Sequence, residues 1–136
     1  MSPCRVLIVD DEVDFARALA TRLSRRGFDA TVATDGAQAA ESARLVPPDV
    51  VVLDVRMPQE SGVTLLKRLK QTHPDVEVIL LTGHASVNSG IQGMRLGAFD
   101  YLMKPVEIDE LCDRLRAAWA RRREHGGGQP PEEGPR

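Results

Sequence analysis

Five short aliphatic runs recur along the chain, and segments of helical period separate them. The runs are residues 5–9, 29–33, 50–54, 76–82 and 99–103, which we predict to be β-strands. The third and fourth runs are apolar enough to be covered on both faces of a sheet. Strict alternation of strands and helices predicts a parallel sheet with helices on both sides, because right-handed crossovers place a helix over each pair of strands.

The segments between the runs, and one after the last run, carry apolar residues at helical spacing. The predicted core faces are Phe15, Ala16, Leu19 and Leu23 in the first helix, Val63, Leu66 and Leu69 in the third, and Ile108, Leu111, Leu115 and Trp119 in the fifth. We therefore predict one α/β domain of doubly wound (βα)5 architecture. Its parallel five-stranded sheet would have the order 2-1-3-4-5, as in flavodoxin-like folds.

Composition limits the classes of function open to the chain. Its 136 residues carry a formal net charge of −2, which does not favour general nucleic-acid binding, since that needs a basic surface. The apolar runs are far shorter than the roughly 20 residues that cross a bilayer, and the first residues lack the apolar segment of a signal peptide. We therefore expect a cytoplasmic protein that contacts neither nucleic acid nor membrane directly. We interpret Cys4 and Cys112 as reduced structural thiols, because they show no metal-ligand spacing.

The end of the sequence differs from the rest in composition. From Glu124 it runs EHGGGQPPEEGPR, which offers too little apolar surface to form a core. We predict a domain over residues 4–123 and a disordered tail or linker over residues 124–136. The same composition fits the start of a linker in a longer protein.

Acidic side chains occur at the ends of two predicted strands. Asp10 and Asp11 come directly after the first strand, and Asp54 closes the third. In the order 2-1-3-4-5 these strands are neighbours, and the carboxyl ends of parallel strands meet at one edge of the sheet. Two carboxylates about 4 Å apart repel by roughly 4 kcal/mol at an effective dielectric constant of about 20. A cation or a proton is therefore needed to make the arrangement tolerable.

The residues around these carboxylates indicate what the cation would do. Oxygen ligands with no His or Cys nearby in sequence favour a hard divalent cation, hence Mg²⁺. Thr82 ends the fourth strand and Lys104 follows the fifth, so a hydroxyl and an ammonium group join the same edge. A cation and an ammonium that neutralise phosphoryl oxygens are typical of a phosphoryl-transfer site. We assign Asp35 and Asp109 instead to helix capping and first-turn roles.

These motifs resemble the receiver domains of two-component response regulators. The matching stretches are VDDE with Asp10 and Asp11, LDVRMPQESG with Asp54, LTGH with Thr82, and YLMKP with Lys104. The resemblance covers residues 4 to about 122. It implies that Asp54 accepts a phosphoryl group from a sensor histidine kinase or a phosphotransfer protein.

The resemblance also implies roles for the surrounding residues. The implied Mg²⁺ ligands are Asp11 and Asp54 directly, Asp10 largely through water, and the backbone carbonyl of Arg56. Lys104 would pair with the phosphoryl oxygens, and Thr82 would move to hydrogen-bond one of them. Tyr101 would swing inward as Thr82 moves. A cis peptide bond between Lys104 and Pro105 is implied as well.

We predict that signal output uses the fourth helix, the fifth strand and the fifth helix, because a marginally stable helix beside Thr82 and Tyr101 can change population for little free energy. That face would bind a downstream protein, and a dimer on the same face is a second expectation. We predict the fourth helix, about residues 86–96, to be the least stable, since Gly90 and Gly93 lie in its interior. Close packing of these glycines against a neighbouring backbone is the alternative explanation for their presence.

Two other functions fit parts of the pattern. A haloacid-dehalogenase-type phosphatase also uses an aspartate after a strand, but Glu12 stands where its D-x-D motif would need a second aspartate after Asp10. A binding module that acts without phosphorylation usually lacks an acidic or lysine position, and none is missing. We therefore expect no turnover beyond self-catalysed phosphotransfer to Asp54 and autodephosphorylation. Arg56 and His84, at the mouth of the site, are predicted to set the lifetime of the phosphoryl group.

Overall fold

The described residues, 3–57, 59–83 and 87–124, form alternating strands and helices in this computed structural model. The strands are β1 (Arg5–Val9), β2 (Asp29–Ala33), β3 (Val50–Leu53), β4 (Glu77–Thr82) and β5 (Asp100–Met103). The helices are α1 (Val13–Ser24), α2 (Gly36–Leu45), α3 (Gly62–Thr72), α4 (Val87–Arg95) and α5 (Ile108–Glu124). The strands pair in parallel in the order β2-β1-β3-β4-β5, which confirms the predicted doubly wound, flavodoxin-like fold.

Three strands are one residue shorter than predicted. β3 ends at Leu53, β4 begins at Glu77 and β5 begins at Asp100. At the end of β3 the Asp54 N–H still donates to the Val9 carbonyl at 2.9 Å. The chain then leaves the sheet, and the carbonyl of Val55 accepts from the Gly62 N–H of α3 at 2.7 Å. Asp54 therefore lies at the edge of the sheet and not within a strand.

The sheet separates two apolar clusters. β3 and β4 are buried at every residue, so their side chains alternate between the two layers. Val52 and Ile79 pack on the side of α1 and α5, whereas Leu53 and Leu80 pack on the side of α2 and α3. This two-sided burial is the arrangement predicted from the apolar third and fourth runs.

The helices bury the faces predicted for them, with aromatic residues at the margins. Phe15 and Trp119 are partly buried and pack against the edge of the α1–α5 cluster. Asp35 caps α2 as predicted, since its side chain accepts from the Gln38 N–H at 2.8 Å. Asp109 lies in the first turn of α5, also as predicted.

Cys4 and Cys112 are free thiols buried on the side of α1 and α5. Burial raises the pKa of the Cys4 thiol to about 12. Burial also raises the pKa of Cys112. Both thiols are therefore protonated at neutral pH, as expected for structural rather than reactive cysteines.

Some predictions concern residues outside the described ranges. They are the role of His84, the start of the fourth helix at residue 86, and the tail beyond Glu124. α5 itself runs to Glu124, one residue past the predicted domain boundary at residue 123. Within the described ranges, no helix combines the length and the apolar character that crossing a membrane requires.

The start of α3 approaches the chain that follows β3 very closely. A Cβ atom on Gly62 would lie 2.2 Å from the carbonyl oxygen of Asp54 and 2.7 Å from the Cα atom of Val55. Real Cβ atoms do not come so close to backbone atoms. The missing side chain therefore allows α3 to support the backbone of Asp54 directly.

We expect Gly62→Ala to destabilise the folded protein by about 2 kcal/mol or more, because the added methyl group must displace backbone rather than a flexible side chain. Denaturant unfolding measures the change. Gly83→Ala is the matched control, since a Cβ there would make an ordinary 3.7 Å contact with Lys104 Cδ. Equal unfolding midpoints for the two variants would contradict the close-approach explanation.

Candidate functional site

Parallel pairing of β1 and β3 brings the acidic residues together. The register pairs Val9 with Leu53, so Asp10 and Asp54 follow side by side at the same edge. The Asp10 N–H donates to a β2 carbonyl at 3.1 Å, and the Asp54 N–H donates to Val9 at 2.9 Å. A carboxylate oxygen from each of Asp10, Asp11 and Asp54 lies within 4.8 Å of the others. The predicted meeting of the three carboxylates is thus confirmed.

The protein compensates part of this charge with Lys104. Asp10 and Asp54 are buried, whereas Asp11 is exposed. Lys104 Nζ lies 2.8 Å from Asp10 Oδ2 and 3.8 Å from Asp54 Oδ2. Desolvation raises the pKa of Asp10, hydrogen bonds from Lys104 and the Glu12 amide oppose the rise, and the Asp54 charge adds to it. The folded protein therefore binds a proton on Asp10 more readily than the unfolded chain does.

The charge state of Lys104 follows from two opposing effects. Desolvation lowers the pKa of its ammonium group. Hydrogen bonds to Asp10 and Glu12, together with the charges of Asp10 and Asp54, raise the same pKa by a larger amount. The net direction is upward. Lys104 is therefore an ammonium group at neutral pH, which its predicted pairing with phosphoryl oxygens requires.

The Lys104 side chain also contacts residues for which the sequence predicted no role in the site. Nζ lies 2.9 Å from Glu12 Oε1 and 4.2 Å from the centroid of the Phe15 ring. The third consecutive carboxylate of VDDE was the available signal for Glu12, whereas the position of Phe15 predicted only a core residue. The peptide bond between Lys104 and Pro105 is cis, as the resemblance implied.

Thr82 and Tyr101 lie on the neighbouring strands β4 and β5. Thr82 is fully buried at the end of β4, and its carbonyl accepts from the Lys104 N–H at 2.8 Å. Tyr101 is half-buried and packs against the cluster beneath α2 and α3. Both residues therefore occupy the elements that the sequence predicted, and their switching roles remain predictions.

The glycines of α4 face the sheet at short range. A Cβ atom on Gly90 would lie 3.0 Å from the Tyr101 ring, and one on Gly93 would lie 2.3 Å from Leu80 Cδ1. The absent side chains let α4 approach β4 and β5 closely, which agrees with the packing explanation. The close contacts are with side chains and not with the neighbouring backbone that this explanation named. That α4 is the least stable helix remains a prediction.

A cleft of about 550 Å³ opens beside the acidic cluster. Its lining residues are Asp11, Glu12, Asp54, Arg56, Met57, Gly83 and Lys104. The Arg56 side chain is exposed there, and the backbone N–H of Arg56 donates to Asp54 Oδ1 at 3.3 Å. The cleft therefore presents both carboxylate and cationic side chains, which suits a ligand that carries both positive and negative charge.

The donor set fits a hard divalent cation. Carboxylate oxygens are the ligands that Mg²⁺ prefers, and Mg²⁺ usually keeps several water molecules. Asp10 and Asp54 supply buried oxygens, while the exposed Asp11 leaves one side accessible to water. The backbone carbonyl of Arg56 as a further ligand stays a prediction.

Comparison with known protein families places this arrangement in context. The sequence model of the response regulator receiver domain matches residues 6–116. The chain belongs to this family. It is thus a receiver domain of two-component signalling, as its motifs indicated, and its fold is that of the family.

Individual relatives agree with the receiver assignment. The probable transcriptional regulatory protein TcrX of Mycobacterium tuberculosis is 43% identical over 115 residues, which are 85% of this chain and 49% of TcrX. The regulatory protein AtoC of Escherichia coli is 40% identical over 107 residues, which are 79% of this chain and 23% of AtoC. The solved receiver domain of the Francisella response regulator 1452 has a TM-score of 0.79 and 36% identity, and the match covers 87% of this chain and 98% of that one. The receiver therefore spans half or less of these two curated relatives.

In a chelator, we expect Asp54→Asn to raise the free energy of unfolding by roughly 1 kcal/mol, because it removes one of the crowded carboxylates and leaves Lys104 to Asp10. Thermal unfolding in EDTA measures the effect. The exposed Asp75→Asn is the matched control and should change stability little.

The gain in Asp54→Asn should depend on pH. The raised pKa of Asp10 means that its destabilising charge is present above that pKa and disappears as the pH falls through it. The difference in the free energy of unfolding between wild type and Asp54→Asn should therefore become smaller as the pH is lowered. A variant that melts below wild type at neutral pH in EDTA would contradict the repulsion argument.

Proposed function

We propose that this receiver accepts a phosphoryl group on Asp54 from the phosphohistidine of a sensor histidine kinase or phosphotransfer protein. The observation that carries the proposal is the setting of the Asp54 carboxylate. It lines the cleft, an Asp11 oxygen lies within 4.8 Å, and the Lys104 ammonium is 3.8 Å from Oδ2. A nucleophile flanked by an acidic cation site and an ammonium group suits phosphoryl transfer.

In the proposed reaction an Asp54 carboxylate oxygen attacks the phosphorus atom in line. The new P–O bond forms as the P–N bond to the donor imidazole breaks, and the imidazole leaves with the electron pair and takes up a proton. The Lys104 ammonium then neutralises phosphoryl oxygens, and the Thr82 hydroxyl donates a hydrogen bond to one of them. Tyr101 follows the movement of Thr82 inward.

We assign the Mg²⁺ site to the three clustered carboxylates. Asp11 and Asp54 are the direct ligands in this proposal, Asp10 acts largely through water, and the Arg56 backbone carbonyl completes the protein ligands. A bound cation would neutralise charge on the phosphoryl oxygens and offset the carboxylate repulsion. The buried Asp10 also holds Lys104, so it links the cation side of the site to the ammonium side.

The reaction we propose involves no enzymatic turnover beyond self-catalysed phosphotransfer and autodephosphorylation. The phosphoryl group leaves Asp54 by attack of water, and the exposed Arg56 at the cleft is placed to influence that attack. Membership of the receiver family gives no support to the dehalogenase-type phosphatase. We propose a cytoplasmic location for the reaction, which is consistent with membership of the response regulator family.

We propose α4, β5 and α5 as the output face. Ile91 and Met94 on α4 and Met103 on β5 are large apolar side chains that are 46–50% exposed. Apolar side chains exposed on adjacent elements favour contact with another protein. The partner would be a downstream target, or a second copy of the chain in a dimer.

The phosphoacceptor assignment predicts the outcome of chemical labelling. Acetyl phosphate with Mg²⁺ should add the mass of one phosphoryl group to the wild-type chain, because the site itself supplies the electrostatic stabilisation. Intact-mass spectrometry measures the gain. Asp54→Ala should show none, and the exposed Asp75→Ala should label like wild type. An undiminished gain in Asp54→Ala would disprove the assignment.

Millimolar Mg²⁺ should stabilise the folded protein, since it binds the folded cluster and not the unfolded chain. At a concentration about 100 times the dissociation constant the gain is about 2.7 kcal/mol. Thermal unfolding in Mg²⁺ and in EDTA at matched ionic strength measures it. Asp11→Asn should lose most of the gain, and Asp14→Asn, which removes an exposed carboxylate from α1, should keep it. A gain retained in Asp11→Asn would contradict the ligand assignment.

A further inference from the structure

One short segment of the chain holds the Lys104 ammonium group. Asp10, Glu12 and Phe15 contact it, at 2.8 Å, 2.9 Å and 4.2 Å to the ring centroid, and all three lie between the end of β1 and the first turn of α1. Asp54 Oδ2, at 3.8 Å, is too far away for a hydrogen bond. The ammonium is therefore hydrogen-bonded to the β1–α1 segment, and only a longer ion pair joins it to the proposed phosphoacceptor.

Glu12 differs from the other carboxylate that holds Lys104. The Asp10 side chain is 3% exposed and belongs to the acidic cluster, whereas the Glu12 side chain is 64% exposed. Glu12 is also the N-cap residue of α1, yet its side chain makes no capping hydrogen bond. Because water can solvate a released Glu12 carboxylate, its contact with Lys104 is the one that can be exchanged at small cost.

We propose that Glu12 is a positioning residue that retains Lys104 in the unphosphorylated domain and gives it up to a phosphoryl oxygen on Asp54. The inference rests on the proposed phosphorylation of Asp54. No covalent step is involved, since one ion pair replaces another. Glu12 thereby disfavours the phosphorylated conformation. Phe15 also disfavours it, because its ring contacts the same ammonium group.

The exchange can be measured with beryllofluoride, a non-covalent mimic of the phosphoryl group, in the presence of Mg²⁺. Titration calorimetry on the full chain should show that Glu12→Gln binds it about two- to fivefold more tightly than wild type, the range expected from losing an exposed ion pair. Phe15→Leu, which changes no charge, should also bind beryllofluoride more tightly than wild type does. Asp14→Asn removes an exposed carboxylate from the first turn of the same helix and should bind like wild type.

A double-mutant cycle separates retention of Lys104 from simple charge repulsion. If Glu12 acts through Lys104, Glu12→Gln should have no effect in a Lys104→Gln background. A tightening that persists in that background would show that Glu12 only repels the anion, and would overturn the proposal. An unchanged affinity in Glu12→Gln with Lys104 intact would overturn it as well.

A spectroscopic readout covers the case in which Lys104→Gln binds too weakly to measure. In protein labelled with ¹³C at the lysine ε position, the Lys104 signal is the one missing from Lys104→Gln. Without ligand, Glu12→Gln should move this signal toward its beryllofluoride-bound position, and an unmoved signal would overturn the proposal. Wild-type protein that fails to bind beryllofluoride would contradict the proposed function itself, and this inference with it.

Discussion

The parallel pairing of β1 with β3 is the constraint on which the rest of the site depends. Neighbouring strands lie about 4.8 Å apart, and the pairing of Val9 with Leu53 forces the next residues, Asp10 and Asp54, to share one edge. The charge placed there lowers stability, and it is also what would bind the proposed Mg²⁺ ion. Burial, with a smaller contribution from the Asp54 charge, raises the pKa of Asp10, and hydrogen bonds to Asp10 and Glu12 raise the pKa of Lys104.

The opposite edge of the sheet also carries buried acids, but their partners belong permanently to the chain. Asp49 accepts from the Arg5 N–H at 2.9 Å and lies 3.4 Å from the Arg122 guanidinium group. Glu77 lies 3.6 Å from Arg121 of α5. The guanidinium group of arginine is in general a permanent positive charge. The two edges thus contain similar buried carboxylates, and the functional edge is the one where an exchangeable ligand can complete the charge balance.

The sequence predicted the strand order and the meeting of the carboxylates because both follow from the position of residues along strands. It did not predict that Glu12 and Phe15 would hold Lys104, since these contacts depend on side-chain torsions across the cleft. Glu12 and Lys104 lie 92 positions apart in the sequence. The close approach at Gly62 also has no local signature, because it arises where α3 meets the end of β3. β3 ends one residue early where the chain turns toward α3, as the hydrogen bond from the Gly62 N–H to the Val55 carbonyl shows, and no strand pattern encodes that contact.

The backbone hydrogen bonds at the strand ends limit how this domain can change shape. Asp54 is tied to Val9 and Lys104 to Thr82 through main-chain bonds of 2.8–2.9 Å, and Gly62 lies directly against the Asp54 peptide. The backbone beneath the proposed phosphoacceptor therefore has little freedom to move with the side chains above it. Rearrangement around Asp54 is therefore limited to side-chain torsions and to the packing of α4 on Tyr101 and its neighbours. A partner that distinguishes two states must then recognise a surface next to the site and not the backbone beneath it.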